Sequence, residues 1–234
     1  PASLTFNREG KPFIATRGLL YTIEPGKISS EDVTVAVFLD RDSISHPSVS
    51  LRFIADKKQL AFIKREDGLS RGPFYDNYHE LDMFFEELRW KQGDPVVQIG
   101  NLQGTTQTRT SFESFNYFEM KRFSSMLGID QVHPLSRLRE FSRVVGEKFN
   151  ANDYAKYSKL QMSQVVPVLI DLANKGFIAY DIEDELVTVK PRLMEHILSS
   201  AGKIDYDVLQ FNSNSEDGVN GTINLLNNEL ALKG

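Results

Sequence analysis

Apolar residues in the first third of the chain come in short runs and alternations, the grammar of strands. Residues 33–39, Val-Thr-Val-Ala-Val-Phe-Leu, form a continuous β-branched and aromatic run between Glu31-Asp32 and Asp40-Arg41-Asp42. That run predicts a strand covered on both faces. Val49, Leu51 and Phe53 alternate with Ser48, Ser50 and Arg52, and after Asp56-Lys57-Lys58 the apolar run resumes over 60–63. The pattern predicts a hairpin, with Pro47 at the head of its first strand because proline cannot donate to a ladder. Residues 18–23, closed by Glu24-Pro25-Gly26, predict another strand, and 4–6 with 13–15 flank the turn Asn7-Arg8-Glu9-Gly10.

The period changes near residue 79. Leu81, Phe84, Phe85 and Leu88 stand at i, i+3, i+4 and i+7, which predicts a helix packed on the sheet and capped by Asp76 or Asn77. Short strands are expected at 96–99 and 105–112, joined across 101–104, followed by a helix to Leu127 that Gly128 stops. Phe112, Phe115, Phe123, Met126 and Leu127 would share its inner side, with Glu119 among them.

From Pro134 the pattern is helical. Leu138, Phe141, Val145 and Phe149 predict one inner face, Asn152 or Asp153 caps a short second helix through Leu160, and Ser163 caps a third through Lys175. Val165, Val168, Leu169 and Leu172 form the buried stripe of that third helix, and Gly176 ends it. Strands at 177–180 and 186–189 flank the acidic turn Asp181-Ile182-Glu183-Asp184-Glu185, and Pro191 opens a last helix. In the tail, a strand is expected over 204–211, a polar loop over 212–218, and further pairing from 222–226.

Length and composition fit two units. The chain has 234 residues, 41% of them hydrophobic, 25% charged and 11% aromatic, which excludes a disordered polymer and supports a real core. A net charge of -5 speaks against binding nucleic acid through the bulk field. The absence of cysteine excludes disulfides, thiolate metal sites and cysteine nucleophiles. No apolar run approaches the roughly 20 residues of a membrane-spanning helix. Pro1 at the start and Lys233-Gly234 at the end suggest a piece of a longer chain.

The order helix, helix, helix, hairpin over about 135–200 resembles a winged-helix domain. The string Ser163-Gln164-Val165-Val166-Pro167-Val168-Leu169-Ile170-Asp171-Leu172-Ala173-Asn174-Lys175-Gly176-Phe177-Ile178 carries the likeness, a third helix, then Gly, then a wing strand. Pro167 departs from that pattern by costing one backbone hydrogen bond. Beyond it, Ile44-Ser45-His46-Pro47, Gly72-Pro73-Phe74-Tyr75-Asp76, Phe112-Glu113-Ser114 and Gly202-Lys203-Ile204-Asp205-Tyr206-Asp207 resemble an internal stretch of very large bacterial multidomain proteins of unassigned function. That resemblance implies an extracytoplasmic parent, periplasmic or secreted, and no catalytic signature.

A winged helix invites duplex binding, but the outward positions of the third helix, Gln164, Pro167, Asp171, Asn174 and Lys175, offer little to phosphate or guanine, and the wing carries four carboxylates. His79, Asp82 and Glu86 would share one side of the first helix at a metal-ligand spacing, yet opposite its apolar stripe, so a solvated face is expected. Gly26-Lys27 lacks the flanking residues of a phosphate loop, since Tyr21 and Ile28 stand where Gly and Ser or Thr are needed. His46 and His133 each precede proline and read as turn or strand-entry residues. Phe74, Tyr75 and Tyr78 cluster beside Arg71 as candidate exposed rings.

The expectation is therefore an α+β chain: an antiparallel β-rich unit with packed helices at 1–130, a winged-helix-like unit at 134–200, and a β segment or the start of a following domain at 203–234. The expected role is a non-catalytic structural or protein-interaction module, with no catalytic, cofactor or metal residue. It would meet neighbouring domains or another protein through Arg71, Phe74, Tyr75, Tyr78, Gln164, Asp171, Asn174 and Lys175. A first alternative is a nucleic-acid-binding regulator using Lys156, Lys159, Lys175, Lys190 and Arg192. A second is an enzyme with a cleft between the units.

Overall fold

Alternation at the N-terminus becomes a run of antiparallel strands in the computed structural model, which describes residues 1–102, 109–127 and 132–233. β1 (Ala2–Arg8) and β2 (Lys11–Gly18) form a hairpin through Glu9-Gly10, both at positive φ. β3 (Thr22–Glu24) and β4 (Lys27–Leu39) turn at Pro25-Gly26, and β5 (Asp42–Ile54) continues into β6 (Gln59–Ile63). Val33, Val35, Val37 and Leu39 are buried while Thr34 and Phe38 are exposed, so the run expected to be covered on both faces is covered on one. The side-chain period of two sorts even a continuous apolar run into an inner and an outer set.

Pro47 lies inside β5 rather than at its head. Between the pairs Val33↔Val49 and Val35↔His46, Pro47 and Ser48 face Thr34 alone, a bulge where a residue without N–H breaks no regular ladder bond. The extra residue is offset by a second irregularity between Ser30↔Leu51 and Val33↔Val49, which restores the inward phase of both strands.

The helix expected near residue 79 is absent. β7 (Phe74–Asp76), β8 (Leu81–Phe84) and β9 (Glu87–Lys91) occupy that stretch, followed by β10 (Val96–Gly100) and β11 (Arg109–Ser114). A helix presenting Leu81, Phe84, Phe85 and Leu88 inward would turn Met83 and Trp90 away, whereas both are buried in the sheet core. Asp76 stops the chain first: its Oδ1 accepts the Tyr78 and His79 N–H groups at 3.0 and 3.1 Å, and Glu80 adopts φ +55°, which closes a β turn. Strands 96–99 and 105–112 do not pair with each other, since β10 lies beside β9 and β11 beside β8. Residues 103–108, within the expected joint and second strand, lie outside the described residues.

The chain then builds a helical unit, Asn116–Leu209. Its elements are α1 (Met120–Ser125), α2 (Pro134–Val145), β12 (Lys148–Asn150), α3 (Ala151–Ser158), α4 (Met162–Asn174), β13 (Ile178–Asp181), β14 (Leu186–Val189) and α5 (Pro191–Ser200). α1 is shorter than expected because Phe112 belongs to β11; Gly128, its expected stop, lies outside the described residues. α2 buries Leu135, Leu138 and Phe141, but Val145 is exposed and Phe149 belongs to β12. Gly146 at φ +100° ends the helix between them. Asn150, rather than Asn152 or Asp153, caps α3 by accepting the Asn152 N–H at 2.8 Å. Gln161, rather than Ser163, precedes α4, and its N–H is held by Gln164 Oε1 at 3.0 Å. β12, β14 and β13 form a three-stranded antiparallel sheet in that order. Leu138 and Phe141 of α2, Tyr154 of α3, Leu169 and Leu172 of α4, and Val187 of β14 are buried, and the Phe141 and Tyr154 rings meet at 5.4 Å.

The tail returns to the first unit, which comprises Pro1–Phe115 and Gln210–Gly234. β15 (Gln210–Asn214) pairs with β11, while β16 (Gly221–Asn224) pairs with β10 and with β17 (Glu229–Leu232). Residues 210–232 therefore supply strands to an existing sheet instead of opening a separate domain, while 203–209 belong to the helical unit. Part of the expected polar loop at 212–218 is strand, with Ser213 buried and its hydroxyl donating to the Asn220 carbonyl at 2.9 Å. The sheet runs β15-β11-β8-β7-β5-β6-β9-β10-β16-β17, with β1 to β4 attached through β5. Among the described residues no helix is long and apolar enough to cross a membrane.

Candidate functional site

Helix α4 sets out the sequence-predicted residues of the helical unit. Its buried stripe is Val165, Leu169, Leu172 and Ala173; Val168, expected inside, is 38% exposed. Gln164, Pro167, Asp171 and Lys175 are also exposed, and Asn174 is half-buried. The helix tolerates Pro167 because the carbonyl it cannot serve, four residues earlier at Ser163, lies at an exposed position within reach of water. Lys175 Nζ meets Asp171 Oδ2 at 2.5 Å, so the ammonium of this face already has a carboxylate. Arg192 Nη1 donates to the Lys175 carbonyl at 3.3 Å.

The acidic turn between β13 and β14 is ordered from within. Asp181 Oδ1 accepts the N–H groups of Glu183 and Asp184 at 3.0 and 3.1 Å. Glu185, at φ +51°, accepts from the Asn152 amide and gives its carbonyl to the Ala151 N–H at 2.8 Å. Asp181, Glu183 and Asp184 remain exposed.

The four residues proposed in the β-rich unit do not act as one cluster. Phe74 is fully buried, stacked on Phe85 at 4.4 Å and 9° and tilted against His46 at 4.7 Å. It is a core ring, not a surface one, because β7 alternates: Phe74 and Asp76 point in, and Tyr75 between them is half-buried. Tyr78 is 40% exposed beside His79, and Arg71 is exposed at the end of a 3-10 turn over Gly68–Arg71. Tyr154 and Tyr180 are likewise buried in the helical unit.

His79, Asp82 and Glu86 fall on a turn, on β8 and beyond its end, so they share no helical face. Asp82 is buried rather than solvated, and Glu86 accepts the Leu102 N–H at 2.9 Å. No group of three or more metal-ligating side chains occurs among the described residues. The other histidines are locked by their surroundings. His46 accepts the Ser48 N–H on Nδ1 at 3.1 Å, so Nε2 donates to the Gly72 carbonyl, and burial pushes its pKa down to about 3. His196 packs edge-on against Phe118 and Phe177, and burial lowers it to about 4. His133 accepts the Leu135 N–H, donates to the Phe123 carbonyl and stacks on the Phe123 ring at 4.0 Å. Burial also lowers Lys64 to about 8.

One feature had no signal in the sequence. A groove of about 510 Å³ opens on the β-rich unit, lined among others by Gln59, Arg89, Lys91 and Gln98, with Asp56 and Asp94 beside them. Register creates it: Gln59 stands opposite Lys91 on β9, and Arg89 opposite Gln98 on β10. Arg89 is held by the Gly218 carbonyl at 3.1 Å and by Glu87 at 3.5 Å, and Trp90 spends its Nε1–H on the Asp94 carbonyl. Its lining mixes cationic, acidic and amide side chains around Trp90 and Val96. Leu19, Leu20, Ile23 and Leu226, 65 to 75% exposed, are the most solvent-facing large apolar residues among the described residues of the same unit. Compared with known proteins, the chain matches no family model, no curated protein and no solved structure.

Proposed function

We propose that the chain is a non-catalytic structural or protein-interaction module of a larger multidomain protein, and that its helical unit is winged-helix-like and docks through the outward face of α4. The order α2, β12, α3, α4, β13, β14, α5 with a three-stranded sheet supports the winged-helix reading. The observation that carries the docking role is the make-up of the α4 face. Pro167 and Val168 are exposed between Gln164 and Asp171, and Lys175 is neutralised by Asp171. Apolar and neutral groups with a self-paired charge suit a protein surface, whereas a duplex binder needs free cations for phosphate and bidentate donors for bases. The three exposed acids of the β13–β14 turn oppose phosphate further.

The rival reading, a nucleic-acid-binding regulator, is tested by fluorescence anisotropy with duplex DNA at low ionic strength. The docking role predicts no saturable binding in the micromolar range; micromolar binding that weakens steeply with salt overturns it. A photo-crosslinker at position 168 of the parent chain supplies the positive arm. It is expected to join a defined peptide of a neighbouring domain, with no such product from position 195 on α5.

A further inference from the structure

His79 sits where three turns of the β-rich unit meet. Its Nδ1 lies 2.6 Å from Asp76 Oδ2 and its Nε2 lies 2.8 Å from the carbonyl oxygen of Asn228, 149 residues away in the β16–β17 turn. Both partners are acceptors, so the ring satisfies both only as the imidazolium, which donates from each nitrogen. Asp76 is fully buried, and its other oxygen already holds the β7–β8 turn. Asn228 is itself fixed: it adopts φ +56°, and its Nδ2 donates to Asp40 Oδ2, in the turn between β4 and β5, at 2.6 Å.

We propose that His79 is a proton-operated latch that fastens the turn of the β16–β17 hairpin to the turn between β7 and β8, and that loss of one proton releases the hairpin turn. Neutral imidazole has one N–H for two acceptors. Leaving the buried carboxylate facing a nitrogen lone pair costs more than leaving a carbonyl at the surface-lying turn, so the remaining proton stays on Nδ1. Nε2 then points a lone pair at the Asn228 carbonyl, and that contact turns repulsive. Opening is therefore directional: the Asp76 end holds and the hairpin end lets go.

The charged and titratable groups around the ring are Asp76 and Glu80 on its own turn, Tyr78 at 5.0 Å, Asp40 behind Asn228, and Glu229 at the end of the hairpin turn, where Asn227 Nδ2 binds its carboxylate at 3.0 Å. The hydrogen bond to Asp76 raises the His79 pKa above 6.5, more than its partial burial lowers it. A raised histidine stabilises the fold fully below about 6.5, and that contribution is lost as pH climbs through the higher folded value. The latch is closed in acid and opens toward alkali.

The experiment is a pH titration of the whole chain by NMR, following the His79 ring and amide exchange in the β16–β17 turn corrected for intrinsic rates. His46 and His196, held near 3 and 4, do not titrate in that window. The expected result is a His79 midpoint above 6.5, with turn protection falling over the same range by about tenfold for each tenfold difference in proton affinity between closed and open forms. His79→Gln, which cannot titrate, is expected to make turn protection independent of pH. A His79 midpoint at or below 6.5, or a titrating His79 with unchanged turn protection, overturns the latch; both are read on the unaltered chain, so they hold even if the variant fails to fold.

Discussion

The β-rich unit and the helical unit solve the same packing problem by opposite means. In the former, stabilising pairs join residues far apart in sequence: Arg8 donates to the Leu225 carbonyl, His79 reaches Asn228, β10 pairs with β16 and β11 with β15. In the latter, helices and the hairpin are set by neighbours, such as Asn150 capping Asn152 and Asp171 pairing with Lys175. The β-rich unit therefore commits its charged groups to holding turns together, whereas the helical unit leaves one helix face available.

The contrast predicts separable unfolding, and Trp90, the chain's only tryptophan, reports on the β-rich unit alone. Phe74→Ala removes the ring stacked between Phe85 and His46 and is expected to destabilise that unit by about 3–5 kcal/mol. Denaturation should then show Trp90 fluorescence changing early while helical circular dichroism keeps its midpoint; coincident loss of both signals breaks the comparison. Leu169→Ala, at the buried centre of α4, is expected to cost about 2–5 kcal/mol with the opposite pattern.

Acid is expected to weaken both units, since His46 of the β-rich unit is depressed to about 3 as well. His196 is depressed to about 4 in the folded state, so its stabilising contribution is complete above 6.5 and is lost as pH falls toward 4. The helical unit should therefore weaken over that window, and His196→Phe should flatten the slope of its melting temperature against pH. Asn150→Ala removes the α3 cap and is expected to cost about 1 kcal/mol, read in the helical unit only. The smallest effect belongs to Lys175→Ala, whose exposed pair with Asp171 contributes no more than about 0.5 kcal/mol, so the helical unit's denaturation midpoint should barely move.

How far the fold was legible follows the same division. The β13–β14 hairpin, the acidic turn and α4 were readable within a residue or two because each is specified locally. So was the inward set of β4, although its one-sided burial was not. The β7 to β9 region misled because Leu81, Phe84, Phe85 and Leu88 satisfy a helical period, while what opposes it, the inward Met83 and Trp90, depends on β7 and β11 lying beside β8 and on β6 and β10 lying beside β9. Phe149 was misplaced for want of weight on Gly146. Of the candidate surface, Gln164, Asp171 and Lys175 lie outward as expected and Asn174 partly so, whereas Phe74 lies within because alternation along β7 separates it from Tyr75. The groove and the His79 contact were invisible, since they arise from register between residues 59 and 91 or 79 and 228.

The seam between β11 and β15 carries a final consequence. Glu113 and Gln210 stand directly opposite and share a side-chain hydrogen bond of 2.7 Å, although the whole helical unit separates them in sequence. Opposed antiparallel residues lie only about 5 Å apart, a gap that a tight turn can close. The helical unit is thus an insertion between two paired strands: excising 116–209 and splicing in a short reverse turn should leave a β protein that still folds around Trp90. Conversely, new chain ends opened within the inserted unit would permute the molecule without cutting a strand of the large sheet.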